Sequence, residues 1–207
     1  MTASRTGPAL EQEPGSRYPA GLVAVSVAAS GWALLYALYR GYYGLGGTIG
    51  MIGTPASPAE FRTLNLIGAL ALLALAVLPI AMLPGWRRAG LRRVLLAVCW
   101  VLAAGLVMHA LVQDIQRVLS LAGALRLYYP PSVWVSVNRH LADVQDLAFN
   151  ETWFLAEGVL WGVIGWIGLR GSPARRWWAG TALAAVGVMT LVGMLTVYGV
   201  IGRTVVF

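Results

Sequence analysis

Five long apolar segments dominate this chain of 207 residues, and short polar or glycine- and proline-rich stretches separate them. The segments cover about residues 20–43, 62–84, 93–116, 149–169 and 177–201. Each is close to the roughly 20 residues that a helix needs to cross the hydrocarbon core of a bilayer. No segment shows the alternating pattern of a membrane β-strand, and a helix satisfies its own backbone polar groups in lipid. The sequence therefore predicts an all-α integral membrane bundle of five transmembrane helices.

The composition agrees with a chain that is surrounded by lipid. Hydrophobic residues make up 58% of the chain and charged residues 11%, whereas soluble domains carry about 25% charged residues. We expect one transmembrane domain over residues 19–207, because five spans leave no room for a second domain. Residues 1–18 are polar and are expected to form a disordered tail. The first apolar segment is too long for a signal-peptide core, so it is interpreted as an uncleaved anchor.

The distribution of arginine predicts the orientation in the membrane. All 15 basic residues are arginines, and the formal net charge is +7. Two tight clusters, at 87–93 and 170–176, lie between apolar segments. The positive-inside rule then places these turns and the N-terminus in the cytoplasm and the C-terminus outside. We expect a multi-pass protein of the bacterial plasma membrane and no nucleic acid partner, because the arginines are explained by the membrane.

Acidic residues collect on the predicted outer side. Six of the eight acids fall there, namely Glu60, Asp114, Asp143, Asp146, Glu151 and Glu157. An ionisable side chain at a helix centre costs about 2.5–3.5 kcal/mol on insertion scales, so it needs a partner or a purpose. This asymmetry predicts a polar pocket near the outer leaflet.

Glu157 lies inside the fourth segment, about two turns from its start. Trp153 and Trp161 stand four residues on either side, so one helix face carries an acid between two indoles. One interpretation is a structural acid that pairs with an arginine or histidine of a neighbouring span. The other is a catalytic or ligand-binding acid, with His109 of the third segment as its acid–base partner.

Further candidate ligand-binding residues lie on the third and first segments. His109 and Gln113 are four residues apart on one face of the third segment, and Asp114 and Arg117 lie beside them. This polar stripe is expected either to pack by hydrogen bonds or to line a wet pocket. The other candidates lie on one face at the outer end of the first segment, namely Tyr39, Arg40 and Tyr43. Arg40 could pair with an outer acid, bind a lipid phosphate, or only snorkel within an aromatic girdle.

The start of the fourth segment offers two more candidate ligand-binding residues, with a structural alternative. Asn150 is a plausible N-cap, and Glu151 would lie favourably at the positive helix end. The preceding outer loop, 117–148, is expected to contain a short amphipathic helix in which Arg139 and Asp143 can pair. Ser57 is expected to cap the second helix.

The sequence contains no catalytic, nucleotide-binding or CxxC motif, so no cofactor is expected. No metal site is predicted either. His140, Asp143 and Asp146 have a spacing that matches no ligand signature. Cys99 is the only cysteine and is expected to be a buried, inert thiol.

Two parts of the chain resemble a known group of proteins. WALLYALYRGYY at 32–43, followed by GGTIGMIG, and the later NETWFLAEGVLWG are similar to the uncharacterised DUF3995-type small membrane proteins of actinobacteria. The resemblance implies a small multi-pass membrane protein and supplies no chemistry, and the shorter members are expected to have four spans. A five-span bundle with an embedded His and Glu is also similar in architecture to sterol-isomerase-like (EXPERA) proteins.

Three functions remain open from the sequence. The first is a non-enzymatic lipid-binding or accessory membrane protein, with membrane lipid and a second copy or another membrane protein as expected partners. The second is a membrane-embedded enzyme that acts on a lipid or isoprenoid through Glu157 and His109. The third is a transporter or proton-coupled permease that uses Glu157, although no internal repeat supports it.

Overall fold

The computed structural model describes Tyr18, residues 21–169 and residues 172–198. Six helices follow one another: α1 Leu22–Gly44, α2 Pro58–Ala81, α3 Ala89–Leu121, α4 Arg139–Gln145, α5 Glu151–Gly168 and α6 Ser172–Val197. A 3₁₀ turn, Leu83–Arg87, follows α2, and a π-helical turn, Asp146–Asn150, joins α4 to α5. Two short strands, β1 Gly53–Pro55 and β2 Trp134–Val137, pair with each other. The tail predicted for 1–18 lies outside the described residues except for Tyr18.

Within the described residues, four helices are long and apolar enough to cross a membrane. They are α1, α2 with its 3₁₀ turn (Pro58–Arg87), α3, and α6 over Pro173–Val197. The predominantly helical fold predicted from the sequence is therefore confirmed, and the four long apolar helices agree with a membrane protein. α5, which is 18 residues long, is not among the four, because Glu151, Glu157 and its several glycines and tryptophans lower its mean hydropathy.

α5 lies at the centre of the bundle, between α1 and α3. α1 also packs against α2, and α3 also packs against α6, so the helices follow the order α2, α1, α5, α3, α6. Trp161 and Ile164 of α5 are fully buried against Leu22 and Ala29 of α1 and Cys99 of α3. α5, which carries the buried acids Glu151 and Glu157, is thus enclosed by α1 on one side and α3 on the other.

Close packing around α5 depends on its glycines. A Cβ on Gly158 would lie 2.8 Å from the Val107 side chain of α3, and one on Gly165 would lie 2.6 Å from the Trp178 ring of α6. Between helices in lipid there is little hydrophobic driving force, so close van der Waals packing through small residues holds them together. These glycines therefore set how near α3 and α6 approach α5.

The two ends of the bundle differ in character. At one end, called here the arginine end, the Arg87 guanidinium lies 4.8 Å from the Tyr18 ring centroid, and Arg175 donates to the Trp166 carbonyl. At the other end, called here the loop end, the loop 45–57 and the connection 122–138 are joined. Their strands β1 and β2 pair antiparallel, with an irregular register between Thr54 and Pro55. The arginine clusters and the long connections thus lie at opposite ends.

The predicted cap of the second helix is confirmed. Ser57 has an extended backbone, and its hydroxyl accepts from the Glu60 amide at 3.3 Å, while Pro58 occupies the first helical position. A proline is favoured there because its missing N–H has no helical partner in any case. The cap therefore starts α2 at the loop end.

We expect Gly168→Ala to destabilise the protein by about 1–3 kcal/mol, because the new Cβ would overlap the Trp86 ring, which is itself buried. Gly162→Ala is the matched control on the same helix, since its Cβ would meet only Ala103 at 3.8 Å. Thermal unfolding of both variants in detergent tests this. Equal melting temperatures would contradict the packing described here.

Candidate functional site

A buried guanidinium organises the loop end of the bundle. Arg117 of α3 is 4% exposed, and its Nη1 donates to Asp143 Oδ1 at 3.3 Å and to the Tyr129 hydroxyl at 2.9 Å. Its Nη2 lies 2.6 Å from Asp146 Oδ2. Ser120 completes the group by donating to Asp143 at 2.6 Å. Arg117 thus joins α3 to α4, to the π-helical turn and, through Tyr129, to the connection 122–138.

The environment of Tyr129 keeps its phenol protonated. Burial is the main cause that raises the pKa of Tyr129, and the neighbouring aspartates act in the same direction while Arg117 opposes them. A protonated phenol can accept from Arg117 and still donate to Asp143, 3.5 Å away. Tyr129 is therefore an uncharged link within this charged cluster.

The same network continues to α1 through Asn150. The Asn150 amide donates to Asp146 Oδ1 at 2.6 Å, and its oxygen accepts from the Tyr36 hydroxyl at 3.2 Å. Tyr36 in turn stacks on Trp153, with ring centroids 5.0 Å apart. Polar contacts therefore run without interruption from α1 across the start of α5 to Arg117.

Two local predictions from the sequence are wrong at this site. Asn150 does not cap α5, because the π-helical turn runs into α5 and the Asn150 side chain bonds to Asp146 instead. Arg139 does not pair with Asp143 but donates to the Leu127 carbonyl at 2.8 Å, and Asp143 pairs with Arg117. Asp143 is thus paired with a residue distant in sequence, whereas Asn150 is held by a residue only four positions earlier.

A cavity of about 530 Å³ lies beside this network at the loop end. Residues of α1, α2, both loops and the π-helical turn line it. They include Tyr39, Arg40, Tyr43, Gly50, Met51, Ile52, Phe61, Leu64, Asn65, Arg117, Tyr129, Val133, Trp134, Gln145, Asp146 and Asn150. The volume falls within the range of about 300–1,000 Å³ that is usual for small-molecule sites.

Aromatic rings form a continuous arc along one side of the cavity. Tyr39 meets Tyr43 at 5.0 Å, Tyr43 meets Phe61 at 6.0 Å, and Phe61 meets Trp134 at 5.8 Å, all close to edge-to-face. Gln145 donates to the Tyr39 hydroxyl and fixes the first ring. The arc therefore offers apolar ring surface next to polar groups.

Arg40 brings a second guanidinium to the cavity. Its side chain is half-buried and lies along Gly68 of α2, where a Cβ would be 3.4 Å from Arg40 Nε. None of the ion pairs found among the described residues involves Arg40. It differs in this from Arg117, whose charge two aspartates already offset.

Asn65 adds an unused acceptor. Its side chain is 2% exposed, and its amide donates to the Phe61 carbonyl one turn earlier at 2.8 Å. Within the described part of the chain its Oδ1 has no hydrogen-bond partner. A buried polar atom without a partner costs about 1–3 kcal/mol, so a donor in the cavity would be stabilised there.

His109 of α3 contacts α5 rather than the cavity. His109 is exposed, and its Nε2 lies 3.7 Å from Glu151 Oε2, with Phe154 packed edge-on to its ring. Gln113 and Asp114 are half-buried, and one side-chain oxygen of each lacks a hydrogen-bond partner among the described residues. The acid nearest to His109 in the structure is thus Glu151 and not Glu157.

Glu157 has its hydrogen bond within its own helix. The carboxyl is 1% exposed, and its Oε1 accepts from the Trp161 indole at 2.8 Å. Oε2 has no partner among the described residues. Trp153, one turn earlier, stacks on Trp32, with ring centroids 4.2 Å apart. The expected partnership of Glu157 with His109 is therefore absent from the described contacts.

The candidate residues divide into two groups. The cavity brings together Tyr39, Arg40, Tyr43, Arg117 and Asn150. Its described lining does not include His109, Gln113, Asp114, Glu151, Trp153, Glu157 or Trp161. The sequence interpretation missed Phe61, Asn65, Tyr129, Trp134 and Gln145 as members of this site, and it named Asp146 only as one of the outer acids. The polar Asn65 within an apolar segment was the one local signal that could have indicated it.

Comparisons with known proteins add no identification. No protein-family model, curated protein or solved structure matches this chain. The resemblance to DUF3995-type proteins therefore stays a prediction. The part of the chain that the structure describes contains no group of three or more His, Cys, Asp or Glu side chains that could hold a metal ion.

We expect Arg117→Gln to destabilise the protein by about 3–5 kcal/mol, because it leaves Asp143 and Asp146 without their buried cation. Converting both aspartates to asparagine in the same chain should recover part of the loss. Arg126→Gln, at an exposed arginine of the neighbouring loop, is the control and should change little. Denaturant unfolding in micelles measures all three, and a stable Arg117→Gln single variant would contradict this role.

Proposed function

We propose that this protein is a non-enzymatic lipid-binding or accessory membrane protein that holds a lipid head group in the cavity at its loop end. The observation that carries the proposal is the cavity itself, about 530 Å³ in volume, with an aromatic arc, an arginine and a buried amide on its walls. Ligand sites in proteins usually combine apolar and aromatic walls with a few placed polar groups.

The position of the cavity favours a ligand that comes from the membrane. Leu64 lines the cavity and is also 57% exposed on α2. Exposed leucine, isoleucine and valine residues continue along the same helix, namely Leu66, Ile67, Leu70, Leu73, Val77 and Ile80. A head group in the cavity could therefore leave its acyl chains against the apolar surface of α2.

The binding proposal can be tested by filling the cavity. Val133 is half-buried and lines the cavity, so Val133→Trp should lower the amount of lipid that co-purifies with the protein severalfold. Val135→Trp is the matched control two residues away, because Val135 is 72% exposed and lies outside the cavity lining. Native mass spectrometry from detergent counts the retained lipids, and equal retention by the two variants would refute the proposal.

We also propose that α5 is a fifth transmembrane helix and that the arginine end faces the cytoplasm of a bacterial plasma membrane. Eighteen residues at 1.5 Å each give a helix of about 27 Å, close to the roughly 30 Å hydrocarbon core. The position of α5 between α1 and α3 supports a spanning role, since both neighbours are themselves long enough to cross. The loop end and its cavity would then face the outer leaflet.

Cysteine labelling tests this orientation. In a Cys99→Ala background, which has no other cysteine, Ala124→Cys at the loop end should react with an impermeant maleimide on intact cells. Ala89→Cys and Ala174→Cys, both exposed at the arginine end, should react only after permeabilisation. The reverse pattern would overturn the orientation, and reaction of Ala174→Cys on intact cells would overturn the crossing by α5.

A further inference from the structure

We infer that the head group held in the cavity is that of an anionic phospholipid carrying a free hydroxyl, with Arg40 binding its phosphate. This inference rests on the proposed lipid binding and gives the chemistry of the ligand. Three side chains on the cavity wall carry it: Arg40, which has no ion-pair partner among the described residues, and the acceptors Asn65 and Asp146.

The cation selects for an anion. Arg40 lines the cavity and takes part in no ion pair within the described residues. A guanidinium presents its donors in a planar fork that matches phosphate, and such charge-assisted bonds are stronger than neutral ones. Arg40 lies along Gly68 of α2, so its charge is next to the helix that carries the exposed apolar side chains Leu64, Ile67 and Leu70.

The acceptors select for a hydroxyl. Asn65 Oδ1 is buried and has no donor among the described residues, so it can accept a hydrogen bond from the ligand. Asp146 faces the same cavity, and Arg117 and Asn150 already hold its two oxygens at 2.6 Å. Its remaining lone pairs can also accept. A ligand that offered only negative charge would satisfy Arg40 but would leave Asn65 unpaired and would lie close to a carboxylate.

The aromatic arc suits the carbon skeleton of a polyol. Tyr43, Phe61 and Trp134 present ring surface beside the polar groups. The C–H groups of a glycerol or similar polyol can pack on such rings while its hydroxyls point towards Asn65 and Asp146. A phosphoglycerol head group therefore offers a phosphate to Arg40, hydroxyls to Asn65 and Asp146, and C–H groups to the aromatic arc. A choline head group has no hydroxyl to donate.

The test is a lipid titration followed by native mass spectrometry. Phosphatidylglycerol, phosphatidic acid and phosphatidylcholine with the same acyl chains are added to the purified full chain. We expect phosphatidylglycerol to bind about tenfold or more tightly than phosphatidylcholine, with phosphatidic acid weaker than phosphatidylglycerol. Free glycerol phosphate at the same concentration should not bind measurably. Equal affinities for the three lipids would overturn the inference, and binding of glycerol phosphate as tight as that of the lipid would overturn the membrane source.

Variants separate the two determinants. Arg40→Gln should reduce phosphatidylglycerol binding about tenfold or more, to the level of phosphatidylcholine, and Arg40→Lys should retain part of it. Asn65→Leu should remove the preference for phosphatidylglycerol over phosphatidic acid. Arg126→Gln, an exposed arginine outside the cavity lining, is the matched control and should bind like the original chain.

The outcomes distinguish the inference from the proposal beneath it. If Arg40→Gln melts at the original temperature and keeps the preference for phosphatidylglycerol, the inference fails. The proposed function would still stand in that case, provided that Val133→Trp displaces the lipid. If Arg40→Gln does not fold, Arg40→Lys decides: a partial loss of phosphatidylglycerol affinity supports the inference, and unchanged affinity overturns it.

Discussion

The buried guanidinium of Arg117 holds together parts of the chain that are far apart in sequence. Its pairs with Asp143 and Asp146 bring α4 and the π-helical turn against the end of α3. Asn150 extends the network to Tyr36 of α1. Removing one partner of such a buried pair costs far more than the pair itself contributes. The wall of the cavity formed by Asp146 and Asn150 therefore depends on the charge of Arg117, which borders the same cavity.

A different kind of contact fixes the opposite end of the bundle. There the indole of Trp86 fills the space that the missing side chain of Gly168 leaves, and Trp178 does the same at Gly165. Van der Waals contact between the glycine backbone and the indole rings holds the helices together here, because the hydrophobic effect is weak between helices in lipid. The bundle is thus held by shape at the arginine end and by charge and hydrogen bonds at the loop end.

The sequence predicts the helices of this fold well and its site only in part. Apolar length and the Ser57 cap are local properties, so the long apolar helices and the start of α2 follow from them. The ion-pair partner of Asp143 cannot be predicted locally. Arg139 is the nearer arginine in sequence, but the fold brings Arg117 to Asp143, and Arg139 bonds to the Leu127 carbonyl. Trp134 likewise lies at the site because β1 pairs with β2, and nothing in the sequence indicates that these two loops meet.

The pairing of β1 with β2 has a kinetic consequence. The short ribbon is extended by bonds from Asn138 to the Ile52 carbonyl and from Ala56 to the Val133 carbonyl, and Ile52 and Val133 themselves border the cavity. Two short strands with an irregular register are marginal by themselves and open at lower cost than packed helices. On the proposed function, opening of this ribbon would set how long a ligand stays in the cavity, whereas the side chains on the cavity wall would set how tightly it is held.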